Sequence, residues 1–279
     1  MSAPGDFSPD WLGLREAADA RARSRALPQL LHETLRTAAR RAGTVVVHDL
    51  GCGSGSMIRW LAPHLPGPQH WVLHDLDPAL LDLARTRAPR TGADGAPVSV
   101  TTRTGDVADL TGADLAGAAL VTATALLDLL TAPQVDALAS ACRDARAPAL
   151  LALSVTGRAG PEPAHPLDGA VEAAFNDHQR RPTPAGPLLG PDATAVATRA
   201  FDRLGARVEV RPSPWELGPD DAALAAEWLH GWVGAARQQR PDLGAALDGY
   251  RERRLAEISD GRFRVSVGHA DLLARWDAG

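Results

Sequence analysis

The sequence predicts an α/β fold around a doubly wound, mostly parallel sheet, and three observations carry that prediction. Val45-Val46-Val47-His48-Asp49-Leu50 is a largely β-branched run that leads into Gly51-Cys52-Gly53-Ser54-Gly55 and then an apolar helix start at Ser56-Met57-Ile58. Short apolar segments alternate with segments of helical period from residue 44 to 155, the pattern of repeated strand–helix–strand units. Pro148–Val155 is a continuous apolar run, which a strand covered on both faces of a parallel sheet requires.

Length and composition narrow the class. A chain of 279 residues can form one large domain, or a domain with a substantial insertion. Its 45% hydrophobic and 23% charged residues are ordinary for a globular protein. No run approaches the ~20 apolar residues of a membrane-crossing helix, and Met1–Asp6 has neither the basic region nor the apolar core of a signal peptide. Cys52 and Cys142 alone make neither a disulfide scaffold nor a zinc site, so a reducing cytoplasm is the expected address and no metal is expected. All 29 basic residues are arginine, a compositional bias that accompanies abundant Ala, Gly, Pro and Asp. The net charge of −5 disfavours a general nucleic-acid binder, which must neutralise phosphates. The clusters Arg21, Arg23, Arg25 and Arg251, Arg253, Arg254 are interleaved with acids and read as solvated helix faces.

In chain order, Ser8 caps a helix that starts at Pro9 and is expected to run to about Arg25. Pro28 starts a second, with Leu31, Leu35 and Ala38 on one face and Gly43 as its C-cap. Residues 1–43 are therefore an N-terminal helical extension. Trp11 and Arg15 share a face of the first helix, which suits docking onto the core or covering a ligand. Strand Thr44–Leu50 is followed by a helix near Met57–Leu65, which Pro66-Gly67-Pro68 stops. Trp71–Asp75 is a second strand, with Asp77 as N-cap of a helix over Pro78–Arg87. Val98–Thr102 and Ala118–Ala123 are strands three and four, and Thr131 with Gln134 forms a capping box. After the fifth strand, Val171, Ala174, Phe175 and His178 mark an amphipathic helix. A helix near Pro191–Leu204 leads to strand Arg207–Arg211. Two helical patterns follow, one with Leu224, Trp228 and Trp232 and one with Leu247, Tyr250 and Leu255, before a strand at Phe263–His269.

The glycine turn is the candidate ligand site, because glycine is needed where backbone approaches a ligand or takes positive φ. The spacing misses the dinucleotide fingerprint G-x-G-x-x-G, whose third glycine would fall on Ser56 or Ile58. That fingerprint also has no use for Asp49. Asp75 lies 20 residues after Gly55 and ends the second strand, where an acid can accept hydrogen bonds from ribose hydroxyls. Asp49–Gly55 and Asp75-Leu76-Asp77-Pro78 together resemble motifs I and II of the class I S-adenosylmethionine-dependent methyltransferases. The resemblance covers residues 44–155, and more weakly the last two strands. It implies a Rossmann-like sheet of seven strands, mostly parallel with an antiparallel last strand, in a domain spanning 44–279. It also makes about 158–190 and 213–261 helical insertions, expected to form a lid. The implied cofactor is S-adenosylmethionine, held by Asp49, Gly51, Cys52, Gly53, Gly55, Asp75, Leu76, Asp106, Val107 and Thr122, with Asp106 toward the adenine amino group.

Methyl transfer from a sulfonium is an in-line displacement whose reactivity the cofactor carries. Positioning the nucleophile can contribute about 7–11 kcal/mol, and a general base about 10²–10⁴-fold. No fixed signature marks such a base. The Asn/Asp-Pro-Pro-aromatic motif of amine and amide methylation is absent, since Thr122-Ala123-Thr124-Ala125-Leu126-Leu127-Asp128 stands there. Candidate catalytic groups are Asp128 and His178, the latter for its near-neutral pKa, although it also fits an apolar stripe with Val171 and Phe175. The expected activity is methylation of O, N or C on a small molecule beneath both insertions, with Trp228 and His178 lining the pocket. The alternatives are a protein that binds S-adenosylmethionine without transferring methyl (a lyase, a cyclase or a non-catalytic module) and, more weakly, a ribosomal RNA methyltransferase. No membrane partner is expected, and the sequence does not indicate an oligomeric state.

Overall fold

The computed structural model describes residues 8–276. The stretch 1–7, which includes the segment judged for a signal peptide, and residues 277–279 lie outside the described residues.

The N-terminal extension is three helices. In α1 (Pro9–Ala22) Ser8 Oγ accepts the Trp11 N–H at 3.2 Å, and the helix ends early because Arg23 turns to φ −54°, ψ 134°. Helices α2 (Ala26–Leu30) and α3 (His32–Ala42) follow, and Gly43 closes α3 at φ +73°. The alternating core is β1 (Val45–Leu50), α4 (Ser56–Leu61), β2 (Gln69–Asp75), α5 (Pro78–Arg87), β3 (Val98–Thr104), β4 (Leu120–Thr124), α6 (Ala132–Asp144) and β5 (Ala149–Glu162). The second half holds α7 (Asp168–Gln179), a small hairpin of β6 (Pro182–Thr183) and β7 (Gly186–Pro187), then α8 (Ala193–Arg203) and β8 (Arg207–Pro212). It closes with β9 (Trp215–Leu217), α9 (Ala222–Gln239), α10 (Gly244–Ser259) and β10 (Arg264–Arg275).

The sheet order is β3-β2-β1-β4-β5-β10-β8, with β9 paired to the far end of β10. Strands β1 to β5 run parallel, and β10 is antiparallel to both β5 and β8. This is the expected mostly parallel sheet with an antiparallel last strand, enlarged by β9. The chain reverses its direction of strand addition between β1 and β4, and a crevice opens there at the carboxyl ends of the strands. Register sets Asp49 beside Thr122 across that junction.

Strand β10 extends six residues past the expected His269, to Arg275. Asp271 interrupts the apolar pattern, yet it is buried because donors surround it. Its Oδ1 accepts from the Leu153 N–H (2.8 Å) and Ser213 Oγ (2.7 Å), and its Oδ2 from the Ser24 N–H (2.7 Å). One face of the sheet packs on α6 and α8 through Leu138, Leu151 and Phe201, the other on α3 and α4 through Leu35, Leu61 and Trp71. A third apolar cluster joins α7, α9 and α10 through Val171, Trp215, Trp228, Trp232 and Tyr250.

Two arginines read as solvated are buried. Arg254 is fully enclosed and bonds Asp168 Oδ1 (2.6 Å), Glu257 Oε2 (2.8 Å) and the Pro163 carbonyl (2.5 Å), so its charge is matched inside the insertion. Arg23 is 2% exposed, and its Nη2 donates to Ser56 Oγ at 2.8 Å and to Thr124 Oγ1 at 3.3 Å. Among the described residues no helix is long and apolar enough to cross a membrane.

Candidate active site

The turn after β1 is shaped by three left-handed glycines, Gly51, Gly53 and Gly55. Gly55 has φ +86°, and a Cβ there would stand 3.0 Å from Ala84 Cβ, so α4 and α5 could not close on each other. Gly53 has φ +52°, and its missing Cβ would meet Leu12 Cδ1 at 3.2 Å, so α1 lies directly on the turn. Asp75, at the end of β2, accepts the Gly53 N–H on Oδ2 (2.8 Å) and the Asp77 N–H on Oδ1 (3.0 Å). Two backbone donors thus fix its carboxylate, and each oxygen retains a lone pair for a ligand. Asp77 is the N-cap of α5, taking the Ala79 N–H at 2.8 Å.

A cleft of about 360 Å³ opens over this turn. Part of it is lined by Gly51, Cys52, Gly53, Asp75, Leu76, Asp106 and Val107. Leu76 is 64% exposed at the end of a strand, an apolar side chain held out for a flat apolar ligand. Asp106 holds its loop by accepting the Ala108 N–H at 2.9 Å. Cys52 packs as a small apolar residue, for burial pushes its thiol pKa far up and its Sγ lies 3.5 Å from the Gly53 carbonyl.

Behind the wall, Asp49 is 1% exposed. Its Oδ1 accepts from Thr122 Oγ1 at 2.8 Å, while its Oδ2 has no partner. Burial, opposed by the Thr122 hydrogen bond and the Arg23 charge, pushes the Asp49 pKa up to about 7. Thr122 is therefore a support for Asp49 and not part of the cleft surface.

The rest of the lining is largely apolar. Leu12 of α1, Ala125, Leu126, Leu129 and Leu130 after β4, and Leu188 after the hairpin form it, with Gln134 and Thr183 as neutral polar groups. The charged Arg15 and Asp19 of α1 also line the cleft, and they neutralise each other: Arg15 Nε donates to both Asp19 oxygens at 3.2 and 3.0 Å.

Residues 47–149 match the family model described as a methyltransferase domain. Those residues, under half of the chain, carry a methyltransferase domain. Solved structures similar to this chain include two S-adenosylmethionine-dependent methyltransferases crystallised with S-adenosyl-L-homocysteine. That from Geobacter sulfurreducens is 16% identical, covers 95% of this chain and 98% of its own, and has a TM-score of 0.44. That from Thiobacillus denitrificans is 17% identical, with coverages of 96% and 98% and a TM-score of 0.46. The cyclopropane synthase MmaA2 from Mycobacterium tuberculosis is 12% identical, with coverages of 97% and 95% and a TM-score of 0.47. No curated protein matches the chain.

The cleft fits S-adenosylmethionine on its own features. Asp75 keeps lone pairs for ribose hydroxyls, and Leu76 and Val107 give apolar walls for a base beside Asp106, whereas Asp49, expected among the cofactor's contacts, stands behind the wall and is not among the lining residues. When bound, the cofactor supplies an electrophilic methyl group. The protein's part is to hold an acceptor against it and to exclude water.

The expected lid is corrected in part. The hairpin of the first insertion supplies Thr183, Ala185 and Leu188 to the cleft, but the second wall is α1, and residues 213–261 are not among its lining. Trp228 and Trp232 stack on each other at 5.0 Å inside the third cluster instead. Nor does His178 line the cleft: its Nε2 lies 2.9 Å from Gln238 Oε1 of α9. The stripe it shares with Val171 faces the packed helices, and it follows that face. Asp128 sits in the turn between Leu126 and Leu129 without lining the cleft itself. Its Oδ1 is enclosed without a partner, and burial raises its pKa. Arg15 lies on the helix face that the Trp11–Arg15 spacing offered as a cover over a ligand, and the hairpin lies within the first expected insertion; Asp19 is the lining residue of α1 that the spacing did not assign.

Proposed function

We propose that the methyltransferase transfers methyl to an apolar small molecule enclosed between α1 and the β6–β7 hairpin. The observation that supports this is the shared lining of one cleft: the residues fitted to the cofactor and the leucines of α1, of the turn after β4 and of the segment after the hairpin face the same cavity. Such a pocket takes a molecule of small cross-section and offers no charged surface for a nucleic-acid backbone. Its ionisable lining is Arg15, Asp19, Cys52, Asp75 and Asp106, each engaged in a hydrogen bond within the fold. Acceptors that lose their proton after the displacement, such as amines, or that enter already ionised, suit this lining best. Two free cysteines, both buried, are in keeping with a cytoplasmic setting.

The test is incubation with methyl-labelled S-adenosylmethionine and a fractionated cell extract. Label in the organic-extractable small-molecule fraction, with S-adenosylhomocysteine formed in equal amount, is the expected result. Label in RNA or protein, or cofactor consumed to methylthioadenosine with no methylated product, overturns it.

A further inference from the structure

We infer that the acceptor is a carboxylic acid, held as its anion by Arg15 and methylated on oxygen, a reading that deepens the small-molecule proposal above and rests on it. Arg15 lines the cleft, and it donates through Nε alone, at 3.2 and 3.0 Å to the two Asp19 oxygens. Its Nη1 and Nη2 have no partner among the described residues, and neither is enclosed. The guanidinium carbon lies 4.9 Å from the Trp215 ring centroid and 5.8 Å from that of Trp11, and 11% of the side chain is exposed. A fork held in place this way has already lost the rotamer freedom that gripping a carboxylate would otherwise remove.

The other polar lining has the same character. Gln134 Oε1 accepts both the Thr131 N–H and its hydroxyl at 2.9 Å. A backbone N–H only donates, so the amide is oriented by it and Nε2 is the group left open on the cleft. Thr183 Oγ1 donates to the Gly186 carbonyl (2.7 Å) and accepts the Ala185 N–H (3.3 Å). Asp19 also takes the Trp215 indole N–H and is 2% exposed. Apart from the acids fitted to the cofactor, the lining thus presents open side-chain N–H donors and, among the described residues, no open side-chain carboxylate or carbonyl oxygen.

An amine would leave its own donors unmatched in such a lining, whereas an ionised oxygen acid is its complement. A carboxylic acid, with a pKa of about 4, enters ionised at neutral pH, and a phenol, at about 10, would need a base. In the transfer, one carboxylate oxygen forms the new O–CH3 bond while the S–CH3 bond breaks with its electron pair left on sulfur. Anion and sulfonium are both neutralised, and no proton moves.

The labelled product formed from methyl-labelled S-adenosylmethionine and cell extract is treated with mild alkali, which cleaves a methyl ester. The expected result is release of the label as volatile methanol. An alkali-stable label, as in an ether, a methylamine or a methyl on carbon, overturns the inference and leaves the small-molecule proposal standing. Absence of label from the small-molecule fraction overturns that proposal and the inference with it. The acid recovered by hydrolysis is then titrated calorimetrically into protein saturated with S-adenosylhomocysteine. Arg15→Met is expected to weaken the acid at least about tenfold while S-adenosylhomocysteine binds as before. Unchanged affinity for the acid, or equal loss of both ligands, overturns the role of Arg15. Gln134→Glu keeps the capping box and replaces the open amide donor by a carboxylate oxygen, so it is read if Arg15→Met does not fold. It is also expected to weaken the acid at least about tenfold, and an unchanged affinity there overturns the inference.

Discussion

The Asp19 carboxylate accepts the Trp215 indole N–H at 3.0 Å while the same group holds Arg15, so the cleft wall α1 is tied to β9 at the head of the second insertion. Trp215 also meets Trp11 edge-on at 6.3 Å, and the Arg15 guanidinium lies 4.9 Å from the Trp215 ring centroid. The second insertion thus acts on the site from behind. It fixes the helix that covers the glycine turn and does not touch the cleft.

Trp215→Phe tests that linkage. The ring volume is nearly kept, but Asp19 loses a buried donor, a loss of about 1–3 kcal/mol. Thermal unfolding should show a decrease of a few degrees. Hydrogen exchange should speed up in α1 more than in β1 or β4. Unchanged exchange in α1 would remove the link.

Asp75→Ala should weaken S-adenosylhomocysteine binding at least about tenfold, from the loss of charge-assisted bonds worth about 1.5–3 kcal/mol each. It should also lower stability, because the Gly53 and Asp77 N–H groups lose their acceptor. Asp77→Ala is the comparison, with about 1 kcal/mol lost from the helix cap and ligand affinity retained. Calorimetry and chemical denaturation read the two effects separately.

Asp49 gives the ligand-free protein a pH dependence of definite sign. Its carboxyl titrates near 7 when folded, above its ordinary 3.8, so the folded state binds the extra proton in that interval. Its contribution is intact below pH 4 and is lost as pH rises through 7, by an amount on the order of a few kcal/mol. Asp49→Asn should therefore be more stable than wild type at pH 8, with the gap closing toward pH 4, and should bind S-adenosylhomocysteine more weakly. Arg23, Asp75 and Arg59 also act on this group, so the difference between the two proteins is the quantity to follow.

His178→Ala and Ala185→Trp separate the rejected pocket from the observed one. His178 bonds only to Gln238 at a solvent-facing edge, so its loss should change stability by no more than about 0.5 kcal/mol and leave methyl transfer intact. Ala185 faces the cleft from the hairpin, and an indole there should block the acceptor end while S-adenosylhomocysteine still binds. Loss of transfer in the first variant, or full transfer in the second, would reverse the assignment of the acceptor end.

The sequence by itself determined the parts whose cause is local. Positive φ at Gly53 and Gly55 leaves glycine in the sequence, and the acid that ends β2 falls at a spacing set by one strand–helix–strand unit. Caps at Ser8, Asp77 and Thr131 satisfy helix ends within three residues, so they too were legible. Only the tertiary structure decided the rest. Arg23 stands 33 and 101 residues from its partners Ser56 and Thr124, and in the sequence it was one of three arginines on a helix face. Trp215 and Asp19 are 196 residues apart, and nothing in the spacing of either fixes their meeting. Burial of a charge, and the choice between a helix that walls a cleft and one that packs behind it, depend on which distant faces close together, and hydrophobic periodicity gives a helix's apolar side without naming what will cover it.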